Sequence, residues 1–186
     1  MKKILAIVGS NSSKSINRKL AAYAIELAGD AQVALIDMQD FDIPIYSPDR
    51  QAQEGFPPEI ETLFAKIQEQ DALIIVSPEY NGSIPAAFKN VIDWLSRINM
   101  KFLGNKPVLL LSTSPGKNGG ATNLKNMKPL LGWWGGRVVD SYSLGNFHQV
   151  YDAEQKQLTG EAALKLQELV QRLVNEINVV NEAAIV

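Results

Sequence analysis

Three short stretches hold the residues of this chain best suited to chemistry. The most distinctive is Pro78-Glu79-Tyr80-Asn81-Gly82-Ser83-Ile84-Pro85, which follows the apolar run Ala72-Leu73-Ile74-Ile75-Val76. A rigid turn of this composition offers fixed backbone donors and, in Tyr80, one flat apolar face. That pairing suits a flat ring with polar edges. The second stretch is Gly9-Ser10-Asn11-Ser12-Ser13-Lys14-Ser15-Ile16-Asn17, which joins an apolar run to helical spacing. Hydroxyls, an amide and free N–H groups at the positive end of a helix make a ready phosphate site. It is neither a Walker loop nor the Gly-x-Gly-x-x-Gly fingerprint. Its hydroxyl donors, in place of glycines and a Gly-Lys pair, suit a terminal monophosphate. The third is Ser112-Thr113-Ser114-Pro115-Gly116 with Gly119-Gly120, whose glycines let backbone come close to a ligand.

Each stretch also has a plainer reading. Ser15 or Asn17 can simply cap a helix. The Pro78 turn can be a surface turn with Tyr80 half-buried. The third stretch can be a flexible connector. What favours a site is their placement. Strand-like and helix-like runs alternate along the chain, the pattern of a parallel α/β sheet. Right-handed crossovers then point every parallel strand the same way, so the three loops meet at one edge of the sheet. Ligands bind at that carboxyl edge in open α/β sheets.

The positioning elements read as follows. Lys3 to Val8 is the first strand, and about Asn17 to Ala28 an amphipathic helix. Val33 to Ile36 is the second strand. The connection from Asp37 to Pro58 carries Pro44, Pro48, Pro57 and Pro58, which predicts no regular structure there. Glu59 to Gln70 is a helix with Ile60, Leu63, Phe64 and Ile67 on one face. Ala72 to Val76 is the third strand, and helical spacing resumes through Phe88, Val91, Ile92 and Leu95. Val108 to Leu111 forms the fourth strand, with a helix running to about Leu131. Val138-Val139 begins the fifth. Glu161 to Asn178 is an amphipathic helix, and the tail from Val179 is ambiguous. No repeat or linker interrupts the 186 residues, so one domain spanning 1–186 is expected.

Composition removes several function classes. With no cysteine, disulfides, thiolate metal sites and cysteine nucleophiles are excluded. The single histidine, His148, excludes multi-histidine metal sites. A net charge of −2 gives no basic surface for nucleic acid or an anionic membrane. No apolar run approaches membrane-helix length. The run after Met1-Lys2-Lys3 is too short for a signal peptide, so a cytoplasmic protein is expected.

Other residues have bland readings that outweigh the sharp ones. His148, beside Phe147 and Tyr151, fits surface packing better than orienting a substrate. Glu79 and Asp93 resemble an acid/base pair, but Asp93 stands four residues after Lys89, the spacing of a helical ion pair. Trp94, Trp133 and Trp134 suit core or subunit packing. Asp37 ends the second strand as a ribose-binding acid would, without the glycines that give that role meaning. Lys14 is a loop lysine of the ordinary solvated kind.

Together the motifs resemble the NAD(P)H-dependent FMN reductase family, the flavodoxin-like group that includes quinone, azo-dye and chromate reductases. The matching residues are Gly9-Ser10, Ser15 and Asn17, then Pro78-Glu79-Tyr80-Asn81-Gly82-Ser83-x-Pro85 and Lys89-Asn90-x-x-Asp93-Trp94. Ser114-Pro115-Gly116 and Gly119-Gly120 complete the set. The resemblance covers roughly residues 3 to 145. It implies a flavodoxin-like, doubly wound five-stranded parallel sheet of order 2-1-3-4-5, with FMN at the switch point between strands one and three. Ser10, Ser12, Ser15, Ile16 and Asn17 would hold the phosphate. Pro78, Glu79, Tyr80, Asn81, Gly82 and Ser83 would line the ring edge, and Ser114, Gly116 and Gly119 its other side. Many relatives carry an arginine where this chain has Ser12, a gap that Lys14 or Arg18 would have to fill.

The resemblance further implies hydride transfer from NADPH or NADH, through bound FMN, to flavins, quinones or similar small acceptors by ping-pong alternation. The flavin supplies the redox chemistry, so no catalytic side chain and no metal is required. It also implies a homodimer or dimer of dimers. The helix from Ala86 to Ile98 and the Pro44 to Pro58 connection are its candidate contacts. Two rivals remain on the same fold: a one-electron carrier of flavodoxin type and a non-redox phosphate-ester binder. The carrier wants a strongly acidic docking face, and hydrolysis wants a serine with a partnered base.

Overall fold

A computed structural model describes the backbone of residues 1–183 and the side chains of residues 1–177. Five parallel strands form the central sheet: β1 (Lys3–Val8), β2 (Gln32–Asp37), β3 (Ala72–Val76), β4 (Pro107–Thr113) and β5 (Arg137–Leu144). Their order is β2-β1-β3-β4-β5, as expected. β1 and β3 read as unbroken apolar runs because the sheet is covered on both faces. Alternate residues of β1 go to opposite sides. Ile4, Ala6 and Val8 pack with α1 (Ile16–Glu26) and α7 (Gly160–Ala183). Leu5 and Ile7 pack with α3 (Pro58–Gln68), α4 (Ala86–Ile98) and α5 (Ala121–Trp133). The tail from Val179 continues α7 as far as Ala183, and residues 184–186 lie outside the described part.

The connection after β2 differs from expectation. It contains a 3-10 turn, Met38–Asp40, and a short helix, α2 (Pro48–Glu54). Pro48 stands at the first helical position, where its fixed φ is preorganised and its missing N–H costs nothing. Ser47 caps the helix by accepting from the Arg50 N–H. Two residues one helical turn apart on α4 hold the rest of this connection. Trp94 Nε1 and Asn90 Nδ2 both donate to the Pro44 carbonyl, at 2.9 and 3.1 Å. Asn90 also accepts from the Tyr46 N–H at 2.9 Å. Trp94 is fully buried, which makes it core. Trp134 is core as well, whereas Trp133 is 75% exposed. Lys89 and Asp93 form the expected i,i+4 pair at 2.5 Å. Beyond β5 the chain adds elements the sequence does not announce: α6 (Phe147–Val150) and a small hairpin of β6 (Tyr151–Asp152) and β7 (Gln157–Leu158).

Candidate functional site

The loops after β1, β3 and β4 leave the same edge of the sheet, and β1 and β3 are neighbours across the point where strand order reverses. A cleft of about 360 Å³ opens there. Of the residues singled out in sequence, Ser10, Ser12, Ser15, Ile16, Asn17, Pro78, Glu79, Tyr80 and Ser114 line it. Asn81, Gly82, Ser83, Gly116 and Gly119 do not. Lys14, Thr113, Pro115 and His148 join the lining. Sequence spacing placed His148 in surface packing. It is exposed at the rim and meets Phe147 edge-on.

Serines build the first loop from within. Ser10 Oγ accepts from the Ser12 N–H, Ser12 Oγ from the Lys14 N–H, and Ser15 Oγ from the Arg18 N–H. Ser15 is therefore the helix N-cap. Each hydroxyl is used there as an acceptor, which leaves its own proton free to be donated toward the cleft. The first N–H groups of α1 have no intrahelical acceptor, and Ile16 and Asn17 supply two of them. Gly9 is dictated by packing, since a β-carbon there would lie 2.5 Å from Phe88 Cδ1.

Asn17 departs from its expected role. Its side chain is buried and occupied: Nδ2 donates to the Thr113 carbonyl and Oδ1 accepts from the Thr113 N–H, both at 3.0 Å. Two residues earlier, the Leu111 carbonyl accepts from the Ser77 N–H on the same side of β4. β3 has ended by then, and the Asn17 carboxamide continues its ladder. What Asn17 offers the cleft is its backbone N–H. Arg18 is likewise occupied, pairing with Asp37 and donating to Gln39. The hydrogen bond to Asp37 raises its pKa, against the opposing effect of burial. Asp37 also accepts from the Gln39 N–H, so it is structural. Lys14 makes no ion pair among the described residues and remains the cation at this end.

The second wall is a tight hairpin turn. Tyr80 and Ser83 exchange both backbone hydrogen bonds, at 3.0 and 3.1 Å. Asn81 and Gly82 between them have φ of 52° and 73°, the two positive values of a type I′ turn. Asn-Gly thus serves turn geometry and leaves Tyr80, 45% exposed, standing over the cleft. The third loop is also braced internally. Ser114 Oγ donates to the Gly116 carbonyl and accepts from the Gly119 N–H. A β-carbon on Gly119 would meet the backbone of Leu144 and Gly145 within 2.9 Å. This glycine therefore permits close packing against the end of β5.

One partner had no local signal. Asn123, fully buried near the start of α5, donates to Ser77 and Pro78, and its N–H donates to Glu79. A larger open groove of about 920 Å³ runs beside β5 and the start of α7. It lacks buried converging donors, so the switch-point cleft is the stronger site.

The fold class is flavodoxin-like, and the comparisons with known proteins make it specific. The model of the NADPH-dependent FMN reductase family matches residues 2–149. A quinone reductase of Escherichia coli K12 is 37% identical over 128 residues, covering 69% of this chain and 68% of that protein. An NAD(P)H-dependent FMN reductase of Pseudomonas aeruginosa is 31% identical over 174 residues, covering 92% of each. Among solved structures, FerB, a flavoenzyme NAD(P)H:(acceptor) oxidoreductase from Paracoccus denitrificans, is similar with a TM-score of 0.77 at 30% identity. That match covers 96% of this chain and 98% of FerB. The chain belongs to the NADPH-dependent FMN reductase family. It is an FMN-dependent NAD(P)H oxidoreductase, and the one-electron carrier is not favoured.

The residues present fit that cofactor. The cleft lies within the roughly 300–1,000 Å³ of small-molecule sites. One end carries serine hydroxyls, a helix N-terminus and Lys14, matching a phosphate. The other carries Pro78 and Tyr80, matching a flat apolar ring.

Proposed function

We propose that the switch-point cleft is the FMN site and that the enzyme reduces quinone-type and similar small acceptors. The carrying observation is the cleft's polarity, with anion donors at one end and an apolar aromatic wall at the other. Bound FMN would supply the hydride chemistry, taking reducing equivalents from NAD(P)H and passing them on.

The protein's share is holding and shielding. Hydroxyls of Ser10, Ser12 and Ser15, the first N–H groups of α1 and Lys14 would bind the phosphate. Pro78, Glu79 and Tyr80 would present backbone groups to the ring edge, and Ser114 would close the opposite side. Preformed N–H groups aimed at a ring that gains charge stabilise it without reorganisation. An exposed Tyr80 and a rim open at His148 would admit acceptors of varied shape, with donor and acceptor using the same place in turn.

Residues 1–186 fit one domain. Self-association as a homodimer or dimer of dimers is supported by Ile45, 82% exposed on the connection clamped by α4. No helix among the described residues is long and apolar enough to cross a membrane, in keeping with a cytoplasmic enzyme. The test of the site is titration of apoprotein with FMN and with riboflavin. Lys14→Ala and Ser12→Ala should weaken FMN severalfold and leave riboflavin unchanged. Equal loss for both ligands would move the phosphate elsewhere.

A further inference from the structure

Asn123 stands outside the cleft yet grips its second wall from behind. It occupies the third position of α5, and its side chain is fully buried. Nδ2 donates to the Pro78 carbonyl and to Ser77 Oγ, each at 2.9 Å. Its main-chain N–H donates to Glu79 Oε2, also at 2.9 Å. One residue thus latches two consecutive residues of the turn, at a carbonyl and at a carboxylate.

Peptide geometry carries this latch into the cleft. The Pro78–Glu79 bond is trans, and in a planar trans peptide C=O and N–H point in opposite directions. Drawing the Pro78 carbonyl inward to Asn123 therefore turns the Glu79 N–H outward, toward the cleft that Pro78, Glu79 and Tyr80 line. That N–H finds no acceptor among the described residues.

Two further buried polar atoms lie beside the latch. Asn123 Oδ1 and Ser112 Oγ are both buried without a hydrogen-bond partner. The two lie in one neighbourhood, because a β-carbon on Gly120, which caps α5, would collide with Ser112 Oγ. A buried polar atom without a partner costs stability.

We propose that Asn123 is a positioning residue that aims the Glu79 N–H at the polar edge of the flavin ring. This rests on the reading that the cleft holds FMN. The experiment titrates apoprotein of the wild type, Asn123→Ala and Asn123→Ser with FMN and with riboflavin, alongside thermal unfolding. Both variants are expected to weaken both flavins by the same factor, about five- to tenfold. The midpoint potential of bound FMN should become more negative, because a donor to the electron-rich ring is misaimed. Glu79→Ala frees the turn from the other side and should give the same equal loss, so it keeps the test intact if Asn123→Ala does not fold. Variants that melt lower but keep wild-type affinity for both flavins, with an unchanged potential, would overturn the proposal. A wild-type apoprotein that takes up neither flavin would instead overturn the reading of the cleft, and the proposal with it.

Discussion

Replacing Asn17 by alanine should cost stability more than it costs flavin binding. The side chain is 3% exposed and makes two 3.0 Å bonds to the N–H and carbonyl of Thr113, at the end of β4. Alanine would leave both backbone groups buried without partners, since β3 does not reach that far. Each orphaned group costs about 1–3 kcal/mol, so the pair should cost about 2–6 kcal/mol. That is a large share of the roughly 5–15 kcal/mol that holds a typical domain. Urea unfolding of the apoprotein should show a midpoint lowered by about 1–2 M at unchanged slope. The backbone N–H of residue 17 survives the change, so FMN affinity of the folded variant should fall about threefold at most. Wild-type stability combined with a tenfold or larger loss of FMN affinity would overturn this assignment of Asn17. It would mean that the carboxamide leaves Thr113 to bind the phosphate.

Gly9→Ala should destabilise by about 1–3 kcal/mol in thermal or urea unfolding, because its β-carbon would overlap the nearly buried ring of Phe88. Trp94→Phe removes the Nε1 bond to Pro44 but keeps an aromatic ring against Tyr46, and should cost about 1–2 kcal/mol. Glu168 is lowered in pKa by its hydrogen bond to Lys165, then by that lysine's charge and by Arg172. A carboxylate lowered on folding stabilises above its ordinary pKa, and the contribution is lost as pH falls through the lowered value. Lys165→Ala should therefore flatten the acid limb of a stability–pH curve slightly, and more so at low salt than at high. Ile45→Glu should shift gel-filtration elution toward the monomer, and unchanged elution would remove that face from any self-contact.

Much of this architecture was legible because one physical pattern dominated each stretch. β1, β3 and α4 have the expected bounds, since an unbroken apolar run and a strong 3.6-residue spacing leave little choice. The α2 helix was illegible because prolines read as breakers, although Pro48 at a helix start is favourable. The loops converge as the right-handed crossover rule requires. The side chains within them were harder to read. Serine, asparagine and glycine are suited equally to ligands and to turns, and the structure divides them. Asn81-Gly82 makes a turn, Gly119 permits packing against β5, and Asn17 extends a strand. Asn17 to Thr113 and Asn123 to Pro78 are contacts between residues far apart in sequence, and no local pattern encodes them. Arg18 is committed to Asp37, 19 residues along the chain and beyond any local spacing, which leaves Lys14.

A visible absorption spectrum of the purified protein with added FMN, followed by anaerobic NADPH, tests whether the cleft binds a flavin that NADPH can reduce. Protein-bound flavin bands should bleach when NADPH is added and return when a quinone is supplied. Bound flavin that NADPH leaves oxidised would contradict the reductase assignment. Absence of flavin binding would contradict the cleft itself.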